Sequence, residues 1–452
     1  MNLYSVARRL AKPAGALAAA IAVTSCSSDI LNVTNPDVLN YGEYNSLVGA
    51  TPLRNGVVQD FAIVFSGNGD GFVVSTGNMA DEIQAADTFD DRLFPNQRTM
   101  TTTLPAMDTY YLQMHRARAG ATRTIAVWQK FKPTQKDTIA ELYAMRGFTE
   151  DFFAEGWCSG VPFSEEDGST TTYGQPQTTT QILNRSVASF DTALTNAVGT
   201  NAYATSVKNI AAIGKARALL NLGQYAAAAA AVAAVPTAYQ YKVYHSAATS
   251  RQQNGIFNSA SPAGSRYTVG TLEGRNGLPF LTTPADPRVL WTPSTRIGFD
   301  GSSKNLPVQQ KYPTNGSAVV LADGIEARLI EAEAKLQGGT QADFDAMFAA
   351  LNTLRATGLT AAITPLPASP TTKADAVDML FKERAYWMWL TGHRLGDLRR
   401  LVRQYGRGTE TVFPTGPVVT RPGTNYGSDV NFPVPFDETN NPNFKGCLDR
   451  KA

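Results

Sequence analysis

Glu383-Arg384-Ala385-Tyr386-Trp387-Met388-Trp389-Leu390-Thr391-Gly392-His393-Arg394-Leu395-Gly396-Asp397-Leu398-Arg399-Arg400 reads as a helix, a glycine-marked break and a second helix dense in arginine. Leu395, Leu398, Leu401 and Val402 recur at helical spacing and define one apolar face of the second helix. Arg394 and Asp397 stand three apart, near enough to pair on a helix surface, and Arg400 stands three beyond Asp397. Trp387 and Trp389 fall on different faces, so at least one is expected inside. These residues are expected to pack a core rather than to touch a ligand.

A second segment follows near the C-terminus: Phe432-Pro433-Val434-Pro435-Phe436-Asp437-Glu438, then Asn441-Pro442-Asn443. In this order the two segments resemble the end of SusD/RagB-family proteins. Glu383, Arg384, Gly392, Arg394, Asp397, Arg399 and Arg400 carry the resemblance in the first segment. Ala285-Asp286-Pro287-Arg288, Lys311-Tyr312, the helix-like run Ile325 to Leu336 and Leu351-Asn352-Thr353-Leu354-Arg355 also resemble family segments. The resemblance implies a mostly α fold: tetratricopeptide-like helix pairs with long loop-rich insertions, in a SusD-like α/α superhelix. It implies a surface lipoprotein that captures a nutrient, an oligosaccharide or other polymer, for a SusC-like TonB-dependent outer-membrane transporter. Such proteins are not enzymes and use no cofactor.

The N-terminus points the same way from its own residues. Arg8, Arg9 and Lys12 precede an apolar run from Ala14 to Val23. That run is shorter than the roughly 20 residues that span a bilayer. It ends in Val23-Thr24-Ser25-Cys26, the pattern of a secretory leader with small residues at its cut. A cysteine just after the cut predicts lipidation of Cys26 and anchoring to a membrane rather than spanning it. The resemblance implies that this membrane is the outer membrane and that the protein faces the cell surface. The alternative is an ordinary leader with a coincidental cysteine. The expected division is a leader over 1–25, a tether over 26–41 and a single domain over 42–452.

Without the leader's three bases the chain has 37 basic and 38 acidic residues, which provides no electrostatic case for nucleic acid. After Cys26, Cys158 and Cys447 remain, an even pair on an oxidising export route. They predict one disulfide, and two buried free thiols are the alternative. No metal-ligand spacing surrounds either one.

Apolar spacing predicts helices over 45–65, 105–131, 138–153, 180–198 and 206–222. Leu222-Gly223-Gln224-Tyr225-Ala226-Ala227-Ala228, closed by Pro236, resembles the middle of a tetratricopeptide repeat, where small residues let two helices approach. Residues 66–98 and 239–318 are rich in Gly, Asp, Asn, Pro and Ser and read as long loop regions. Loops of that length in a compact domain are often functional.

No catalytic constellation emerges. The three histidines are isolated, and H-E-x-x-H and G-x-S-x-G are absent. A glycosidase needs two carboxylates about 5–10 Å apart, and the adjacent pairs Asp81-Glu82, Asp90-Asp91 and Glu165-Glu166 read as solvated loop acids. Sugars present flat C–H faces to aromatic rings and hydroxyl rims to polar side chains. The aromatic–polar mixtures outside the helices are Phe89, Asp90, Arg92, Phe94, Asn96 and Arg98 in one loop, and Trp291, Arg296 and Phe299 in another. Trp291 is the foremost candidate for a stacking platform. Two other classes of function stay open: a tetratricopeptide-like scaffold for peptide partners, and a secreted glycoside hydrolase.

Overall fold

The computed structural model describes residues 44–452, except 68, 168–169, 261–263 and 360. The leader over 1–25, Cys26 and the tether lie outside the described residues. The helices are α1 (Ala50–Ser66), α2 (Phe72–Met79), α3 (Asp90–Gln97), α4 (Pro105–Phe131), α5 (Lys136–Gly156), α6 (Thr179–Asn196) and α7 (Ala202–Asn221). They continue as α8 (Tyr225–Val232), α9 (Gly255–Ala260), α10 (Gly324–Leu336), α11 (Gln341–Thr357), α12 (Lys373–Trp387), α13 (Arg394–Arg403) and α14 (Thr409–Val412). The fold is mostly helical.

Successive helices pack on one another: α5 on α6, α6 on α7, α7 on α8, α8 on α10, and α10 on α11 and α12. This is the side-by-side helix stacking of tetratricopeptide-like pairs. A capping box closes the start of α6, where Thr178 accepts from Gln181 N–H and the Gln181 side chain accepts in return. Aromatic rings from three helices fill the N-terminal core. Phe61 and Phe65 of α1, Phe72 of α2 and Phe152 of α5 stack, with Phe72 and Phe152 centroids 4.3 Å apart.

Strands are short, and every sheet among the described residues has two of them. The antiparallel pair that positions the candidate site joins β1 (Ile83–Ala85) to β2 (Tyr267–Val269), with Gln84 opposite Thr268. Trp291–Thr292 pairs with Val308–Gln309.

The region 66–98 differs from the loop expected of it. It contains α2, β1 and α3, and most of it is buried. Its acids Asp70, Asp81, Glu82 and Asp87 are buried and bound by partners inside the fold, whereas Asp90 stays exposed as expected. Asp81 accepts from Arg394 Nε and Nη2 at 2.6 and 2.9 Å. Glu82 accepts from Leu390 N–H at 2.9 Å. Burial pushes the Glu82 carboxyl up to about 8.

The arginine-rich segment is internal. Gly392, at φ 82, supplies the left-handed turn between α12 and α13. Both Trp387 and Trp389 are buried. The expected Arg394–Asp397 pair does not form, since Arg394 reaches back to Asp81. Asp397 instead accepts from Arg384 and from Arg400. Arg399 donates to the carbonyls of Ala154 and Glu155, closing the last turn of α5.

The scattered motifs converge on this segment. Glu383 accepts from Arg288 at 2.7 Å and from Arg355 at 2.6 and 3.0 Å. Lys311 donates to the Trp389 carbonyl and Tyr312 to that of Leu390. The Asn441 side chain bonds Glu438 and the Gly174 carbonyl, and Tyr111 bonds Glu438. Cys158 and Cys447 are joined as a disulfide, with Cα atoms 6.0 Å apart. Beside it, Cys158 N–H donates to the Phe432 carbonyl, which ties the tail to the end of α5.

Candidate functional site

Phe89 precedes α3, and Phe299 lies on the loop after Trp291. Their rings stack with centroids 5.9 Å apart. Both are large apolar rings open to solvent, at 49% and 47% exposure. Two of the loops singled out by composition therefore meet, and they meet through these two rings.

Local backbone chemistry sets the geometry. The buried carboxylate of Asp87 accepts from the N–H groups of Thr88 and Phe89 at 2.6 and 3.0 Å, which fixes the approach to α3. The opposite loop is anchored by Phe299 N–H on the Ser265 carbonyl and Asp300 N–H on the Ala86 carbonyl. Gly298 allows this close approach, since a Cβ there would lie 2.8 Å from that of Ala86. Burial opposes charge on Asp300, but hydrogen bonds from Ser303 and Ser302 hold its carboxyl below the usual range.

Arg266 lies between the rings and the core. Its guanidinium carbon is 3.4 Å from the Phe299 centroid and 5.2 Å from that of Phe89. The same guanidinium bonds both oxygens of Asp87, at 3.1 and 2.9 Å. One face of Phe299 is thus covered by protein, and its exposure comes from the rest of the ring.

A third loop joins from the C-terminal part of the chain. Arg421 donates to the Asp87 carbonyl and Gln84 to Thr420 Oγ1, which seats Val419 at 68% exposure beside them. Sequence reading missed this loop. Its only signal was a Pro- and Gly-containing turn around 417–425, and nothing in that turn shows which other loop it touches.

The remaining candidates lie elsewhere in the packing. Asn96 is buried and donates to Glu273 at 3.1 Å. Arg92 is paired with Asp70 and Asp87. Phe94 is half-buried against the core. Arg98 is buried and bonds the carbonyls of Asp429 and Pro414. Arg296 turns inward to the carbonyls of Ala260, Tyr267 and Pro307, and burial lowers its guanidinium to about 10. Trp291 is half-buried and packs on the core. Its indole N–H finds no acceptor among the described residues, so packing holds it. Of these loop aromatics Phe89 and Phe299 are the open ones, and Trp291 is half-buried.

Among the described residues no group of three or more His, Cys, Asp or Glu side chains is placed to hold a metal ion. No helix among them is long and apolar enough to cross a membrane.

No family model and no curated protein matches the chain. Solved structures do, at low identity, and they place the fold. A SusD superfamily protein from Bacteroides fragilis superposes with a TM-score of 0.64 at 14% identity, covering 88% of this chain and 99% of its own. A SusD superfamily protein from Bacteroides thetaiotaomicron gives 0.62 at 16%, covering 89% and 99%. A laminarin-binding SusD-like protein gives 0.60 at 14%, also covering 89% and 99%. The architecture is that of the SusD-like proteins, across most of the chain.

Proposed function

We propose that this chain is a non-catalytic glycan-binding protein that captures a polysaccharide for uptake. The observation that carries this reading is the open Phe89–Phe299 pair, backed by Arg266 and rimmed by the hydroxyl-bearing loops at Thr88, Ser302 and Thr420. Flat aromatic faces beside neutral hydrogen-bonding groups suit the C–H faces and hydroxyls of sugars. The laminarin-binding protein of the same fold supports it. Exposed aromatic surface of this kind is costly to leave uncovered and marks interaction sites.

Capture at a cell surface fits the leader-like start and Cys26, which would carry a lipid anchor at the outer membrane. The partner would be a SusC-like TonB-dependent transporter. The test is binding of polysaccharides to the wild type and to a Phe89→Ala/Phe299→Ala variant. Retention by a glycan that the variant loses supports the reading. A wild type that binds no glycan sinks it.

A further inference from the structure

We infer that a second site, a pocket between α1, α5, α7 and the strand Gln240–Val243, takes a short sugar or the end of a sugar chain. This goes beyond the capture reading above, because none of the residues lining the pocket belongs to the three loops of the Phe89–Phe299 surface.

The strand Gln240–Val243 pairs with Val319–Asp323, and its residues face helices from the N-terminal half across a cavity of about 370 Å³. That volume lies within the range of small-molecule sites. Glu141 of α5 lines the cavity and is nearly buried. Its Oε2 accepts from Arg54 Nε at 3.0 Å, from Arg54 Nη2 and from the Tyr203 hydroxyl at 2.9 Å. Its Oε1 accepts from the Tyr241 hydroxyl at 3.2 Å, and from no other group among the described residues. Burial above all, and the Glu141 charge after it, raise both phenols, that of Tyr203 to about 12, so both remain donors at neutral pH.

These bonds fix the carboxylate and leave hydrogen-bonding capacity unused. Each carboxylate oxygen has about two acceptor positions, so Oε1 has one left. Arg54 Nη1 bonds nothing among the described residues, and the side chain is 28% exposed. One ion pair therefore holds a fixed acceptor beside a fixed donor. Two neighbouring hydroxyls of a sugar ring match that pair: one donates to Oε1, and the next accepts from Nη1. Both bonds are charge-assisted, the stronger kind. Tyrosine rings supply the apolar half of the site. Tyr244 and Tyr203 line the same cavity and are 77% and 39% exposed, so a pyranose C–H face has open ring to lie on. Exposed rings of this kind mark interaction sites. Gln240 adds an exposed amide. Walls from four elements limit the occupant to a short sugar or a chain end, whereas the Phe89–Phe299 surface is open.

The test is isothermal titration calorimetry with glucose, galactose, xylose, cellobiose, maltose and laminaribiose. The proteins are the wild type, Tyr244→Ala, Arg54→Gln and the Phe89→Ala/Phe299→Ala variant. The expected result is that the wild type binds at least one of these sugars and that the Phe89→Ala/Phe299→Ala variant binds it equally well. Tyr244→Ala and Arg54→Gln should each weaken it by about tenfold, the size of one good aromatic or polar contact. Tyr244→Ala removes an exposed ring and should melt within a few degrees of the wild type, so it decides the matter even if Arg54→Gln fails to fold. Binding that only the Phe89→Ala/Phe299→Ala variant loses would overturn the inference and place the sugar at the first surface. Binding that Tyr244→Ala keeps at full strength would overturn it as well. A wild type that binds none of these short sugars would overturn the inference, while the capture reading, tested with polysaccharides, would stand.

Discussion

Asp397 accepts the Nε–H and an Nη2–H of Arg384, each at 3.0 Å, across the break between α12 and α13. Arg400 adds a third bond at 2.8 Å, and all three side chains are buried. Burial opposes charge on the carboxyl, but the two arginines hold it well below the usual carboxylate range. Removing one partner from such a cluster leaves buried charge uncompensated. Asp397→Ala should therefore cost about 3–5 kcal/mol in urea denaturation. A loss under about 1 kcal/mol would mean the cluster is solvated and worth no more than a surface pair.

The ring residues should separate binding from stability. Phe89→Ala or Phe299→Ala alone should weaken glycan retention with little change in melting temperature. Trp291→Ala should do the reverse, costing about 3 kcal/mol or less because its ring is only partly covered, with retention kept. Melting and retention measured on the same three proteins decide this. If Trp291→Ala abolishes binding at unchanged stability, Trp291 is the platform after all.

The Cys158–Cys447 bond closes a loop with a sequence separation of 289. The chain-entropy account of so long a loop allows about 5 kcal/mol, and measured values often fall short of it. The Cys158→Ala/Cys447→Ala variant should lose about 2–5 kcal/mol. On a non-reducing gel of the unfolded protein, the wild type should run faster than after reduction, and the variant should show no such shift. Free thiol titrating in the unfolded wild type without reductant would contradict the bond.

Two buried glutamates give opposite pH slopes. Burial opposes charge on Glu326, but Arg217 and His393 overcome it and hold the carboxyl at about 2, below its ordinary 4.5. Its stabilising contribution is present above about 4.5 and is lost as pH falls through about 2. Glu82 has the opposite sign. Burial raises it to about 8, so its contribution is present below about 4.5 and is lost as pH rises through about 8. Urea midpoints against pH should fall less steeply in acid for Glu326→Gln, and less steeply from mildly acidic to mildly basic pH for Glu82→Gln. Slopes parallel to the wild type in both windows would refute the assignment.

If the N-terminal reading holds, Cys26→Ala should release the protein from membranes. Fractionation after a high-salt wash tests it, and a variant that stays membrane-bound would refute lipidation at Cys26.

The helices were legible because their signal is local. The apolar spacing over 105–131 matches Pro105–Phe131 as observed. The run from Ile325 to Leu336 falls on α10. Glycine, proline and capping residues mark ends by the dihedrals and hydrogen bonds they allow, and these depend on near neighbours only. The motif residues were legible as structural for a related reason, since an apolar stripe flanked by charges is a packing pattern.

Partner choice was not legible, because it is set by which distant residue the fold brings within reach. Arg394 had a possible partner three residues away in Asp397, yet it pairs with Asp81. Asp397 was already held by Arg384 and Arg400, and Asp81 needed a cation in the interior. Asp81 and Glu82 looked solvated because composition cannot show that Arg394 and the Leu390 N–H, from the far end of the chain, meet them. Glu383 draws Arg288 and Arg355 together in the same way. The site follows this rule too. Phe89 and Phe299 were each visible as loop aromatics, and the sequence by itself determined that much. Only the tertiary structure decided that they stack, that Arg266 covers one side of Phe299, and that Trp291 is turned into the core. A ring's exposure depends on what packs against it, and that is a property of the whole chain.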